Sequence, residues 1–74
     1  MTKKAKKLIL GDRVRLARIR AGMTQHHLGL ETMIAQSHIS EVETGNRSLK
    51  AEQLFSIAIA TKRSLKFFTS GGSI

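Results

Sequence analysis

The chain is short and basic: 74 residues carry 13 Lys and Arg against 5 Asp and Glu, for a formal charge of +8. Such a charge draws polyanions, and with three Phe, no Trp and no Tyr the chain lacks the long apolar run or bulky apolar face a membrane helix needs. It has no Cys, which excludes disulfides and thiolate metal sites, and the apolar run Leu8 to Leu10 falls well short of the about 7 to 15 residues of a signal-peptide core, so a cytoplasmic protein is expected.

Residues 1–9, with Lys3, Lys4, Lys6 and Lys7 and no acid, read as a basic flexible arm, either solvated or reaching a DNA phosphate or minor groove. Residues 10–63 read as a DNA-binding domain. Leu10, Val14, Ala17 and Ala21 recur at helical spacing, and Gly22 ends that first helix. Thr24 is a good N-cap for a second helix over about 24–31. A third runs from 35 or 36 to 44, where Gly45 supplies a left-handed stop, and residues 46–49 form a loop. A fourth, about 50–61, carries Ala51, Leu54, Phe55, Ala58 and Thr61 on one stripe with Ile57 beside it.

Beyond Thr61 the period changes. Leu65, Phe67 and Thr69 alternate with Lys66 and Phe68, which suggests a strand over residues 64–70. A lone strand cannot satisfy its own backbone groups, so it would need a second copy of itself, with Leu65, Phe67 and Phe68 forming the dimer contact. The alternative is a short fifth helix with Leu65 and Phe68 at i, i+3. Residues 71–74 read as a disordered tail. The expected class is all-α, four to five compact helices, with the C-terminal strand pairing across a dimer.

The stretch from Thr24 to Gly45 has the spacing of two short helices joined by a tight turn. Leu28 and Ile34 bracket the turn, Ile39 and Val42 lie i, i+3 apart on the second helix, and Gly29 stands where a crossing helix needs close approach. Gln36, Ser37, His38, Ser40 and Glu41 then face outward, and a helix that buries one stripe and offers short polar side chains on the other can enter a DNA major groove. Gln can bond adenine at N6 and N7, and Glu can accept from cytosine N4.

From Gly11 to Phe68 the sequence resembles the phage repressor and Cro-like (XRE-type) helix-turn-helix family. The motifs are Arg18-x-x-x-Gly22-x-Thr24-Gln25-x-x-Leu28, Ser37-x-Ile39-Ser40-x-x-Glu43-x-Gly45 and Leu54-x-x-Ile57-Ala58. Within that family, the alternation after the fourth helix looks most like HipB-type antitoxins. The resemblance implies a lambda-repressor-like fold in which Gln36, and to a lesser extent Ser37, Ser40 and Glu41, read bases, while Thr24, Gln25, Asn46 and Arg47 hold phosphates. His38 is either a base or phosphate contact or an exposed surface residue, and Gln36 too could be merely solvated. Arg18 and Glu43 match a partly buried salt bridge, with phosphate binding the alternative for Arg18. The implied partners are a palindromic double-stranded operator, a second copy of the chain and a HipA-like kinase toxin. A stand-alone phage-type repressor, or a protein-interaction module with incidental DNA affinity, are the competing readings.

Three departures stand out. Thr32-Met33 occupies the turn where the family has an apolar residue and Gly, Ala35 replaces a capping side chain, and Thr61-Lys62-Arg63 replaces Leu-Gly-Val. No catalytic constellation or cofactor site is expected. A metal pair on a helix needs i, i+4 histidines, whereas adjacent His26 and His27 point about 100° apart.

Overall fold

A computed structural model describes residues 3–69, and within them five helices follow one another: α1 (Lys3–Arg20), α2 (Gln25–Thr32), α3 (Gln36–Glu43), α4 (Ala51–Thr61) and α5 (Leu65–Thr69). The expected tail at 71–74 lies outside the described residues. α1 packs against α3, α4 and α5, α2 against α3 and α4, and α5 closes on α4. Their shared core is Val14, Ala17, Leu28, Ile34, Ile39, Val42, Ile57, Ala58 and Phe68.

α1 begins at Lys3, so the expected flexible arm over residues 1–9 is corrected: from Lys3 onward it is helix. Neither Gly nor Pro interrupts Lys3 to Leu10, and Lys, Ala and Leu are strong helix formers. Once the packed half from Leu10 onward is nucleated, each further residue adds a hydrogen bond. The lysines still oppose the dipole there, since the first turn holds no acid. Gly11 is buried at the crossing of α1 over α3, where a Cβ would stand 2.2 Å from the Val42 carbonyl oxygen. Only glycine allows the two helices to approach this closely.

On α4 the inward stripe is Leu54, Ile57, Ala58 and Thr61, at i, i+3, i+4 and i+7. Phe55, expected on that stripe, lies 48% exposed, and Ala51 is exposed. Ile57 takes the central place, fully buried. The helix ends at Lys62, which adopts φ 57 and ψ 40 while its N–H and that of Arg63 bond the Ile59 and Ala58 carbonyls.

The expected strand over 64–70 is also corrected: Leu65–Thr69 is helical, and no strand occurs among the described residues. Adjacent side chains on a helix diverge by about 100° rather than pointing to opposite faces. Phe68 therefore drops into the core, 2% exposed, while Phe67 stays at its edge, and the two rings meet edge to face with centroids 5.3 Å apart. The Phe67 carbonyl accepts from Nη1 of buried Arg13 at 3.2 Å. The backbone partner a strand would have sought across a dimer is thus found within the chain. Phe67 and Phe68, expected at a dimer contact, are engaged inside the monomer, and Leu65 alone of the three is exposed, at 37%.

Candidate nucleic-acid interface

Thr24 starts α2 with an extended backbone, and its hydroxyl accepts from the His27 N–H at 3.0 Å. At the other end, Thr32 is buried and donates its hydroxyl to the Leu28 carbonyl at 2.7 Å. The chain then reverses at Met33, which stands at φ 58 and ψ 32 with its side chain 95% exposed. A non-glycine residue in this left-handed well costs about 1 kcal/mol. The turn holds because the Ile34 N–H bonds the Gly29 carbonyl at 3.2 Å and Ile34 is buried. Gly29 allows the turn to fold back on α2: a Cβ there would sit 2.8 Å from the Ile34 carbonyl oxygen.

α3 follows directly, with Ala35 at its N-cap and no side-chain cap. Ile39, Val42 and Glu43 are its buried residues. Opposite them, Gln36, Ser37 and Glu41 are exposed and Ser40 is half-buried. With helical spacing, 36, 37, 40 and 41 form one polar stripe. His38 does not join it. That side chain is half-buried on the flank, and its Nε2 lies 3.1 Å from the Ser48 carbonyl oxygen, tying α3 to the following loop.

That loop carries the positive charge. Arg47 pairs with Glu41 at 3.5 Å, with both side chains about half exposed. Such a pair is worth under about 1 kcal/mol, so a phosphate could readily displace it. The Asn46 side-chain amide donates to the Thr44 hydroxyl at 3.0 Å, and its backbone N–H bonds the Glu41 carbonyl at 2.8 Å, so Asn46 caps α3. A cleft of about 340 Å³ opens beside it, lined by His38, Arg47, Ser48, Leu49, Lys50 and Gln53. Lys50, the N-cap of α4, adds a second cation to this cleft that its position at a helix start does not signal in the sequence.

Behind the polar stripe a buried network fixes its orientation. Arg18 from α1 donates to both carboxylate oxygens of Glu43, Nε at 2.7 Å and Nη2 at 2.9 Å, and its Nη1 donates to the Met23 carbonyl at 2.9 Å. Gln25, expected to touch a phosphate, turns its amide inward to Glu43 at 3.2 Å. One carboxylate therefore joins α1, the start of α2 and the end of α3. The hydrogen bonds that Arg18 donates to Glu43 raise its guanidinium above its ordinary range, against the opposing effect of burial. Among the described residues, no group of three or more His, Asp or Glu side chains could hold a metal ion, and no helix is long and apolar enough to cross a membrane.

Comparison with known proteins agrees with this geometry. A family model described as helix-turn-helix matches residues 14–68. No curated protein matches significantly. Among solved structures, the chain is similar to the restriction-modification controller protein C.AhdI from Aeromonas hydrophila, with a TM-score of 0.82 and 23% sequence identity over 86% of this chain and 97% of that one. The alternation on which the HipB-type resemblance rested lies in α5, a helix. A turn between two short helices, with a second helix that buries one stripe and presents the other, is thus matched over most of the chain: the protein belongs to the helix-turn-helix family and is a DNA-binding transcription regulator.

Proposed function

We propose that the chain binds a palindromic operator as a homodimer and represses the genes it controls, with α3 in the major groove. The observation that carries this reading is the polar stripe of Gln36, Ser37, Ser40 and Glu41, set opposite the buried Ile39 and Val42 and flanked by Arg47 and Lys50. Gln36, at the start of α3, is the main base reader, with Ser37, Ser40 and Glu41 as secondary contacts. Phosphates bind at the α2 N-terminus through the backbone N–H groups at Thr24 and Gln25, whose side chains are engaged within the chain, and at the loop by Asn46, Arg47 and Lys50, where they fix register without reading sequence.

The dimer contact moves from the C-terminal segment to the outward side of α4. Phe55 and Ile59 lie i, i+4 apart there, 48% and 78% exposed, with exposed Leu65 a few residues on. A dimer paired through these faces would have to present its two α3 helices to half-sites about 34 Å apart. A second reading, control of an operon in the manner of a restriction-modification controller, is favoured by the overall fold match, which takes in nearly the whole of that protein.

The test is binding to a randomised duplex library at several salt concentrations. Affinity should fall with salt at a slope of about 0.9 per phosphate contacted. Gln36→Ala should cost about 1–3 kcal/mol on the selected site and flatten preference at one base pair, while Arg47→Ala weakens all sequences alike. A library that yields no preferred sequence, or a preference untouched by Gln36→Ala, would overturn the reading of α3.

A further inference from the structure

A second cleft, of about 390 Å³, lies at the other end of α4, lined chiefly by Arg20, Met23, Ala60, Thr61, Lys62 and Arg63. The first cleft reaches Lys50 at the start of α4, and this one reaches Ala60 near its end. Gln53 also lines the first cleft, so seven residues of helix rise, about 10 Å, separate the two along α4. The second cleft thus stands apart from the α3–α4 loop.

Three cations meet here, and none of the chain's five acids lines the cleft. Among the described residues, neither Arg20 nor Lys62 makes a side-chain hydrogen bond or ion pair. Arg63 is steadied differently: its guanidinium lies 5.3 Å from the centroid of the Phe67 ring. Basic residues at helix C-termini commonly offset the dipole and cap free carbonyls. Here backbone N–H groups already take several of those carbonyls. Gly22 and Met23 N–H groups bond the Ile19 and Arg18 carbonyls, and Lys62 and Arg63 N–H groups bond those of Ile59 and Ala58. Lys62 also holds φ 57, where a Cβ is crowded and glycine would be relaxed. Its side chain adds nothing to the fold that glycine would not supply more easily.

We propose that this cleft binds a small organic anion bearing a phosphate or carboxylate. Arg20, Lys62 and Arg63 hold the charge, and the apolar body rests on Met23 and Ala60. The volume falls within the range of about 300–1,000 Å³ usual for small-ligand sites. The site does not depend on how α3 reads DNA. Its occupant would touch Met23, whose carbonyl is held by Arg18 and which precedes the cap of α2.

Phenyl phosphate and benzoate serve as probes, titrated into the full chain at constant ionic strength with chloride as control and followed by amide NMR. Saturable shifts are expected at Ala21 to Met23 and Ala60 to Arg63. Lys62→Gly removes one cation while relaxing the backbone, so its thermal midpoint should rise as its phenyl phosphate affinity falls about tenfold, the loss of one charge-assisted hydrogen bond. Arg20→Gln should lower affinity similarly with the backbone untouched. The absence of saturable shifts, or shifts undiminished in both variants, overturns the proposal. So does a third outcome, in which Arg20→Gln/Lys62→Gly reduces the salt slope of duplex binding by about 1 or more while the wild-type chain ignores both probes. The cleft would then hold a DNA phosphate instead.

Discussion

Replacing Glu43 with Ala tests whether the network behind α3 holds the domain together. The Glu43 carboxylate accepts from Arg18 Nε and Nη2 and from the Gln25 amide, and its side chain is 4% exposed against 13% for Arg18. Glu43→Ala leaves a nearly buried guanidinium bonded to the Met23 carbonyl alone, and strips the Gln25 amide of its partner. Removing one member of a buried pair costs about 3–5 kcal/mol. The surviving bond to Met23 and the residual exposure of Arg18 argue for the lower end, about 3 kcal/mol. A domain of this size has a total stability of about 4–11 kcal/mol. Thermal unfolding followed by circular dichroism at 222 nm should then show a midpoint lower by about 12–24 °C. The double variant Arg18→Met/Glu43→Leu should recover much of this, because no charge is left orphaned. The reasoning fails if Glu43→Ala shifts the midpoint by less than about 4 °C, or if the double variant loses as much as the two single variants combined. The pH dependence has a definite sign. A guanidinium raised above its unfolded value contributes stability that is fully present below that value and lost only as pH climbs past the folded one. The Arg18 contribution should therefore stay flat from neutrality to about pH 11.

Three further substitutions probe the backbone and the core. Met33→Gly relaxes the left-handed turn residue and should raise stability by about 1 kcal/mol in urea titrations; a loss would show that Met33 is not strained. Gly11→Ala forces a Cβ against the Val42 carbonyl and should cost about 1–3 kcal/mol, with the near-ultraviolet and NMR signatures of α1 and α3 displaced together. Phe68→Ala empties a core position and should cost about 3–5 kcal/mol, independently of protein concentration; a loss that grew on dilution would return the aromatics to an intermolecular contact.

The sequence alone determined the helix-turn-helix and the class of fold. Leu28 and Ile34 bury on either side of the turn and Ile39 and Val42 bury i, i+3 apart on α3, a pattern complete within fifteen consecutive residues. Gly22 and Gly45, both at positive φ, ended their helices for equally local reasons. The start of α1 is local too, but there charge and helix propensity point opposite ways: the lysines suggest a solvated arm, whereas Lys, Ala and Leu without Gly or Pro favour helix. The C-terminal segment is ambiguous in a stronger sense. Residues 65 to 69 satisfy a period of two and, through Leu65 and Phe68, a helical spacing as well. Contacts far away in sequence decided between them: Arg13, 54 residues distant, bonds the Phe67 carbonyl, and the core shared by the helices takes Phe68. Gly11 against Val42, the inward turn of Gln25 to Glu43, the bond from His38 to Ser48 and the clustering of Arg20 with Lys62 and Arg63 are of the same kind. A local pattern states which face of a helix is apolar; it does not state what that face meets, because the partner is chosen by how all the helices pack at once.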